Sequence, residues 1–265
     1  MTGLPFPEVS PIMFYIGPLA IRWYSMAYLV GIVVGWWFVL KKVQTYKLSL
    51  TKEQIEDFVF YITIGIIVGG RFGYALFYGG AEMWLKPWRL LEIWKGGMSF
   101  HGGVLGVVIS VWLFAKKSRY NFFGLTDLIV LCAPIGIFLG RMANFINDEL
   151  WGRVTDVAWA VRFPAGGYLP RHPSQIYEGL FEGVIMFVVL NMLWQKTAIR
   201  EKQGVVSGLF VLMYGLFRIF LEQYREPDIQ LGYFFGILTM GQLLSVPLVV
   251  LGLSVVVWKY KKVKK

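Results

Sequence analysis

Runs of apolar residues about 20 long, broken by short polar or basic stretches, recur along the whole chain, and each is long enough to cross a hydrocarbon layer of about 30 Å as a helix. The pattern predicts spans at roughly 20–40, 56–78, 100–115, 122–141, 177–194, 205–222 and 236–258. The expected fold is an all-α polytopic membrane protein of about seven transmembrane helices, forming one integral membrane domain over residues 1–265. Two kinds of connection separate the runs: short basic ones, and longer ones rich in Trp, Gly, Pro and mixed charge. The segment 150–175, which carries WGRVTDVAWAVRFPAGGYLPRHPSQ, is long for a plain connection and contains strand-type residues, so a small outer-side cap is expected there.

Composition agrees with a lipid environment: 57% of residues are hydrophobic, 16% are charged, and mean hydropathy is +0.58. Soluble domains are about 45–50% apolar and about a quarter charged. The net charge of +10 is concentrated in clusters. Lys41, Lys42 and Lys47 follow the first run; Lys116, Lys117 and Arg119 the third; Lys196, Arg200 and Lys202 the fifth; and Lys259, Lys261, Lys262, Lys264 and Lys265 the last. With seven spans these fall on one side, so the positive-inside rule puts them in the cytoplasm together with the C-terminus. The N-terminus and the segments 79–99, 142–176 and 223–235 are then outside. This charge reads as topology and lipid attraction, and no nucleic-acid partner is expected, because no basic run is interleaved with base-stacking aromatics. Trp23, Tyr24, Trp84, Trp88, Trp94, Trp151 and Trp159 fall near expected span ends and read mostly as interfacial anchors. The single cysteine, Cys132, lies in an apolar run and reads as a packing residue; the N-terminal stretch lacks the features of a removable signal peptide.

The informative residues are the polar ones at membrane depth: Arg71 in GGRFGYALFY, His101 in GGMSFHGG, Arg141 in GRMANFINDELWG and Arg218 in YGLFRIFLEQYREPD. An arginine at the bilayer centre costs about 2.5–3.5 kcal/mol on insertion scales, so these residues should share one polar cavity. Helical spacing puts Arg141 and Asn144 on one face, with Asn147 and Asp148 returning near it. Tyr214, Arg218, Glu222 and Arg225 likewise form one stripe. Two readings stand for His101, a general base or a hydrogen-bond donor that fixes a neighbour. Gly69, Gly70 and Gly73 read as close helix packing or as room for a lipid headgroup. Intramembrane charges also mark ion and proton pathways, so a transporter competes with a membrane-embedded enzyme on the residues alone.

The run GRMANFINDELWG, Gly140 to Gly152, resembles the signature of the bacterial prolipoprotein diacylglyceryl transferases. GGRFGYALFY, WKGGMSFHGG, RHPSQIYE and YGLFRIFLEQYREPD resemble that family's other blocks in order, so the resemblance covers nearly the whole chain; AEMWLKPWRLLEI and the basic tail match only in character. The resemblance implies transfer of the diacylglyceryl group of phosphatidylglycerol to the thiol of a lipobox cysteine in a prolipoprotein signal peptide, with release of glycerol phosphate and no metal or organic cofactor. It places the protein in the bacterial inner membrane, with the cap in the periplasm. His101, Arg141 and Arg218 are then the expected catalytic residues, and guanidinium groups suit a departing phosphate. Asn144 and Glu149 would orient the headgroup or the arginine, Tyr24 and Tyr214 would line the cavity, Glu222 would hold Arg218, and Arg71 would contact substrate. The thiol's proton has three candidate acceptors or devices: His101, a carboxylate, or an arginine field that lowers the thiol pKa.

Overall fold

The computed structural model describes residues 3–92, 94, 96–227, 233–234 and 238–261. Seven long helices run through it: α1 Trp23–Thr45, α2 Lys52–Phe77, α3 Phe100–Ser118, α4 Phe122–Ile146, α5 Ser174–Gln195, α6 Val205–Leu221 and α7 Met240–Lys261. All but α6 are long and apolar enough to cross a membrane, and α6 is a shorter apolar helix. The protein is therefore an all-α polytopic membrane protein of about seven spans. Several helices outrun their apolar stretches. In α2 the cause is a capping box: the Thr51 side chain accepts the Gln54 N–H at 3.2 Å, and the Gln54 side chain accepts the Thr51 N–H at 3.0 Å.

Packing divides the chain into two compact units, residues 36–126 and residues 1–35 with 127–265, whose boundaries fall inside α1 and next to the start of α4. In the first unit α2 crosses α3 through small residues. A Cβ on Gly73 would stand 2.7 Å from the Gly102 Cα, and one on Gly69 2.8 Å from the Gly106 Cα, so the two backbones touch. Gly69 and Gly73 are thus packing glycines, while Gly70 backs onto Met98. Ile55, Phe58 and Phe114 fill the core beside this crossing, the two rings 4.9 Å apart.

In the second unit α6 meets α7 in the same manner, since a Cβ on Gly252 would lie 2.7 Å from the Gly208 carbonyl oxygen. Asp127, buried on α4, receives the Gly204 N–H at 2.7 Å and the Ser207 N–H at 2.8 Å, which caps the start of α6 from a different helix. Cys132 packs against Gly35, with its thiol 3.2 Å from the Ile129 carbonyl. The segment after α4 forms a small sheet with an N-terminal strand, in which β2 (Val161–Arg162) lies between β1 (Leu4–Pro5) and β3 (Pro170–Arg171). Trp151 stacks on Phe163 inside this element, and Arg153 donates to the Arg225 carbonyl at 2.9 Å, tying it to the chain that follows α6.

Candidate active site

Three elements of the second unit bring charge to one place. Arg141 projects from the last turns of α4, Glu178 and Glu182 from the first turns of α5, and Arg218 from the last turns of α6. Helix α5 can approach α4 closely because Gly179 and Gly183 face it: a Cβ on Gly183 would stand 2.7 Å from the Phe138 Cβ. The same stretch, Gly179–Ile185, is wound as a π-helix, a geometry that recurs at functional positions.

Glu178 is the hub. Its Oε2 lies 2.8 Å from Arg141 Nη1, and its Oε1 lies 3.0 Å from Arg218 Nη1 and 3.5 Å from Arg225 Nη1. Arg141 Nη2 pairs with Glu182 at 3.1 Å, and Arg218 Nη2 with Glu222 at 3.0 Å. The carboxylates of Glu178 and Glu182 are 1% and 0% exposed, while the two arginines remain 16% and 14% exposed. Among the described residues neither Arg141 nor Arg218 commits its Nε–H to a protein acceptor. Tyr214 lies within electrostatic reach of Arg141 and Glu182, and Glu222 accepts a further bond from the Thr239 hydroxyl at 3.1 Å.

One turn beyond Arg141 the same helix reaches a cavity of about 420 Å³ lined by Arg22, Tyr24, Asn144, Asn147, Glu149 and Leu150. Glu149 accepts the Asn144 amide at 2.8 Å and the Asn147 amide at 3.2 Å. The chain leaves α4 through Asp148 and Leu150, both at positive φ (55° and 60°), a conformation Asp tolerates but a branched side chain such as Leu adopts less readily. The RHPSQIYE block holds this turn: Gln175 donates to the Glu149 carbonyl at 2.7 Å and Ser174 to the Leu150 carbonyl at 2.9 Å. Burial raises the Asp148 carboxyl above its ordinary range, although it accepts the Ala165 N–H at 2.7 Å. Among the described residues no group of three His, Cys, Asp or Glu side chains is placed to hold a metal ion.

The first unit holds Arg71 and His101. Arg71 was expected to contact substrate, and its surroundings give a different picture. All five of its N–H donors go to main-chain carbonyls: Nε to Leu90 at 3.0 Å, Nη1 to Gly96 and to Gly97 at 3.0 Å, and Nη2 to Arg89 at 2.5 Å and Glu92 at 3.1 Å. It staples the connection between α2 and α3, where Gly96 and Gly97 adopt the left-handed conformations that the turn requires. His101 is exposed in the first turn of α3, its ring edge-on to Phe100 at 5.7 Å and without a hydrogen bond among the described residues.

The sequence profile of the prolipoprotein diacylglyceryl transferases matches residues 11–258. The chain belongs to that family. Its relatives include the phosphatidylglycerol–prolipoprotein diacylglyceryl transferase of Rickettsia akari, 49% identical over 249 residues that cover 94% of this chain and 96% of that protein. The protein of the same name from Rickettsia conorii is 50% identical over equal coverage, and that of Rickettsia bellii is 48% identical over 254 residues, 96% of this chain and 97% of its own.

For this member of the diacylglyceryl transferase family, the structure unites Arg141, Arg218, Glu222 and Tyr214 in one cluster, and Tyr24, Asn144 and Glu149 around one cavity. It adds residues the spacing argument did not select: Glu178, Glu182 and Arg22. The signal for the first two was present. Carboxylates one helical turn apart inside the apolar run 177–194 are as costly in lipid as the arginines, and therefore need partners.

Proposed function

We propose that this protein transfers the diacylglyceryl group of phosphatidylglycerol to the thiol of a prolipoprotein's lipobox cysteine, the first step of lipoprotein maturation. The observation that carries this reading is the convergence of Arg141 and Arg218 on one buried carboxylate, each with an Nε–H that no described residue accepts and that can serve an anion. In the reaction a sulfur–carbon bond forms at the glycerol carbon, the carbon–oxygen bond to phosphate breaks, and the oxygen leaves with its electron pair as glycerol phosphate. Preorganised cations in a water-poor site stabilise the charge growing on that phosphate far better than water does.

The cavity lined by Tyr24, Asn144, Asn147 and Glu149 supplies amide donors and carboxylate acceptors of the kind that suit a glycerol headgroup. Arg141 and Arg218 hold the phosphate, Tyr214 and Glu222 complete their surroundings, and His101 is the candidate acceptor of the thiol proton, on the strength of its motif. Residues 150–175 form the outer cap that receives the peptide. The four basic clusters favour a cytoplasmic C-terminus and an outer N-terminus, and membership of the family supports a bacterial inner-membrane location.

The test is incubation of the purified protein with phosphatidylglycerol and a lipobox peptide, with the lipidated product read by mass. Omission of phosphatidylglycerol should abolish the product, and His101→Gln should remove turnover if the ring is the base. A moderate loss makes His101 an organiser, whereas solute flux across proteoliposomes without peptide lipidation would reject the transferase.

A further inference from the structure

We infer that Glu178 is a positioning residue for the transfer, the carboxylate that sets the two phosphate-binding guanidiniums at a common spacing and orientation. The inference rests on the transferase reading above and extends it to a residue outside the substrate cavity. Glu182 pairs with Arg141 and Glu222 with Arg218, so each serves one arginine of the pair. Glu178 alone among the described residues pairs with both, one oxygen to each, and its Oε1 is shared with Arg225. It cannot shift toward one guanidinium without loosening the other. Each guanidinium is planar, has both Nη atoms within ion-pair distance of carboxylates and one of them hydrogen-bonded, which restrains its plane and leaves its Nε–H without an acceptor among the described residues.

Among the described residues Arg141, Arg218 and Arg225 face Glu178, Glu182 and Glu222, three formal charges of each sign before lipid arrives. A phosphate therefore meets oriented donors and no net positive charge, and the arrangement has to supply what charge does not. Removing the Glu178 charge has opposite effects on binding and on chemistry. The cluster becomes cationic and holds a phosphate more tightly, while the two guanidiniums lose their common anchor and the reaction slows. A carboxylate that only stabilised the fold would lower the amount of active protein and leave phosphate affinity unchanged.

The experiment uses the full-length protein in phosphatidylglycerol proteoliposomes with a lipobox peptide, measuring kcat and the inhibition constant of glycerol phosphate. Glu178→Gln should lower kcat on the order of 100-fold, the scale of a misplaced reacting group, while glycerol phosphate inhibits at several-fold lower concentration. Glu178→Asp keeps the charge on a shorter arm, and should recover part of the turnover and return the inhibition constant toward wild type. Wild-type turnover in Glu178→Gln, or lost turnover with unchanged or weaker inhibition, overturns the inference. Should Glu178→Gln fail to fold, Glu178→Asp decides: turnover about tenfold down with near wild-type inhibition supports positioning, and wild-type turnover overturns it. A wild-type protein that transfers no lipid would instead remove the transferase reading itself.

Discussion

Replacing Arg141 by Gln perturbs stability and chemistry together, and the geometry shows how to separate them. Glu182, fully buried, loses its ion-pair partner at 3.1 Å, while Glu178 keeps Arg218 at 3.0 Å and Arg225 at 3.5 Å. Removing one partner of a buried pair costs about 3–5 kcal/mol, because the other charge is left uncompensated. Removing one contact to the charge growing on the phosphate costs about 100- to 1,000-fold in rate. The double variant Arg141→Gln/Glu182→Gln leaves Arg218 and Arg225 facing Glu178 and Glu222 and is formally neutral again. It should regain most of the lost stability and none of the lost turnover. Thermal unfolding in detergent reads the first effect, and phosphatidylglycerol-dependent peptide lipidation reads the second. Turnover of the single variant within a factor of about three of wild type would refute the role given to Arg141. Recovery of turnover in the double variant would show that Arg141 matters only as a counter-charge to Glu182.

Three further outcomes are expected. Arg71→Lys keeps the charge but cannot serve five carbonyls, so amide hydrogen exchange at Arg89, Glu92 and Gly96 should accelerate while α2 itself stays protected. Asp127→Ala orphans the Gly204 and Ser207 N–H groups and should destabilise the protein by about 2 kcal/mol, measured by thermal or denaturant unfolding; an unchanged midpoint would deny the cap. His172 lies outside the spans, with its Nδ1 3.1 Å from the Tyr177 hydroxyl, and burial holds its pKa below 6.5. The unfolded chain thus takes up the proton first, so the His172 contribution is complete above pH 6.5 and lost as pH falls through the depressed folded value; His172→Asn should flatten that part of the unfolding profile.

Much of this was legible from the residues, and the misses share one physical origin. Span length is dictated by bilayer thickness, so the apolar runs located all seven long helices, with ends displaced where capping or polar helix residues extended them, as at Thr51 and at Asn144. The Arg218–Glu222 pair followed from i, i+4 spacing and is present at 3.0 Å. Spacing along one helix cannot reveal a partner on another, so Glu178 escaped although it lay in a block that carried the family resemblance. Arg71 escaped for a related reason: its partners are carbonyls of an irregular connection shaped by Gly96 and Gly97, and such a turn has no periodicity to read. The Trp159 indole donates to the Tyr177 hydroxyl at 2.6 Å, a contact only tertiary structure reveals.

The composition of the arginine cluster is itself a consequence of the membrane. An arginine in a span needs partners to be insertable: Arg71 takes main-chain carbonyls, whereas Arg141 and Arg218, joined by Arg225 from just past α6, face three glutamates. Neutralisation would normally abolish anion binding. Here both Nη atoms of Arg141 and of Arg218 go to carboxylates, and the Nε edges stay open among the described residues, so donor direction survives where net charge does not. An enzyme that works on a lipid phosphate within reach of the bilayer can then bury its cations and still present hydrogen-bond donors to the leaving group. Arginine suits this arrangement better than lysine, because a single ammonium offers no second edge to hold in reserve.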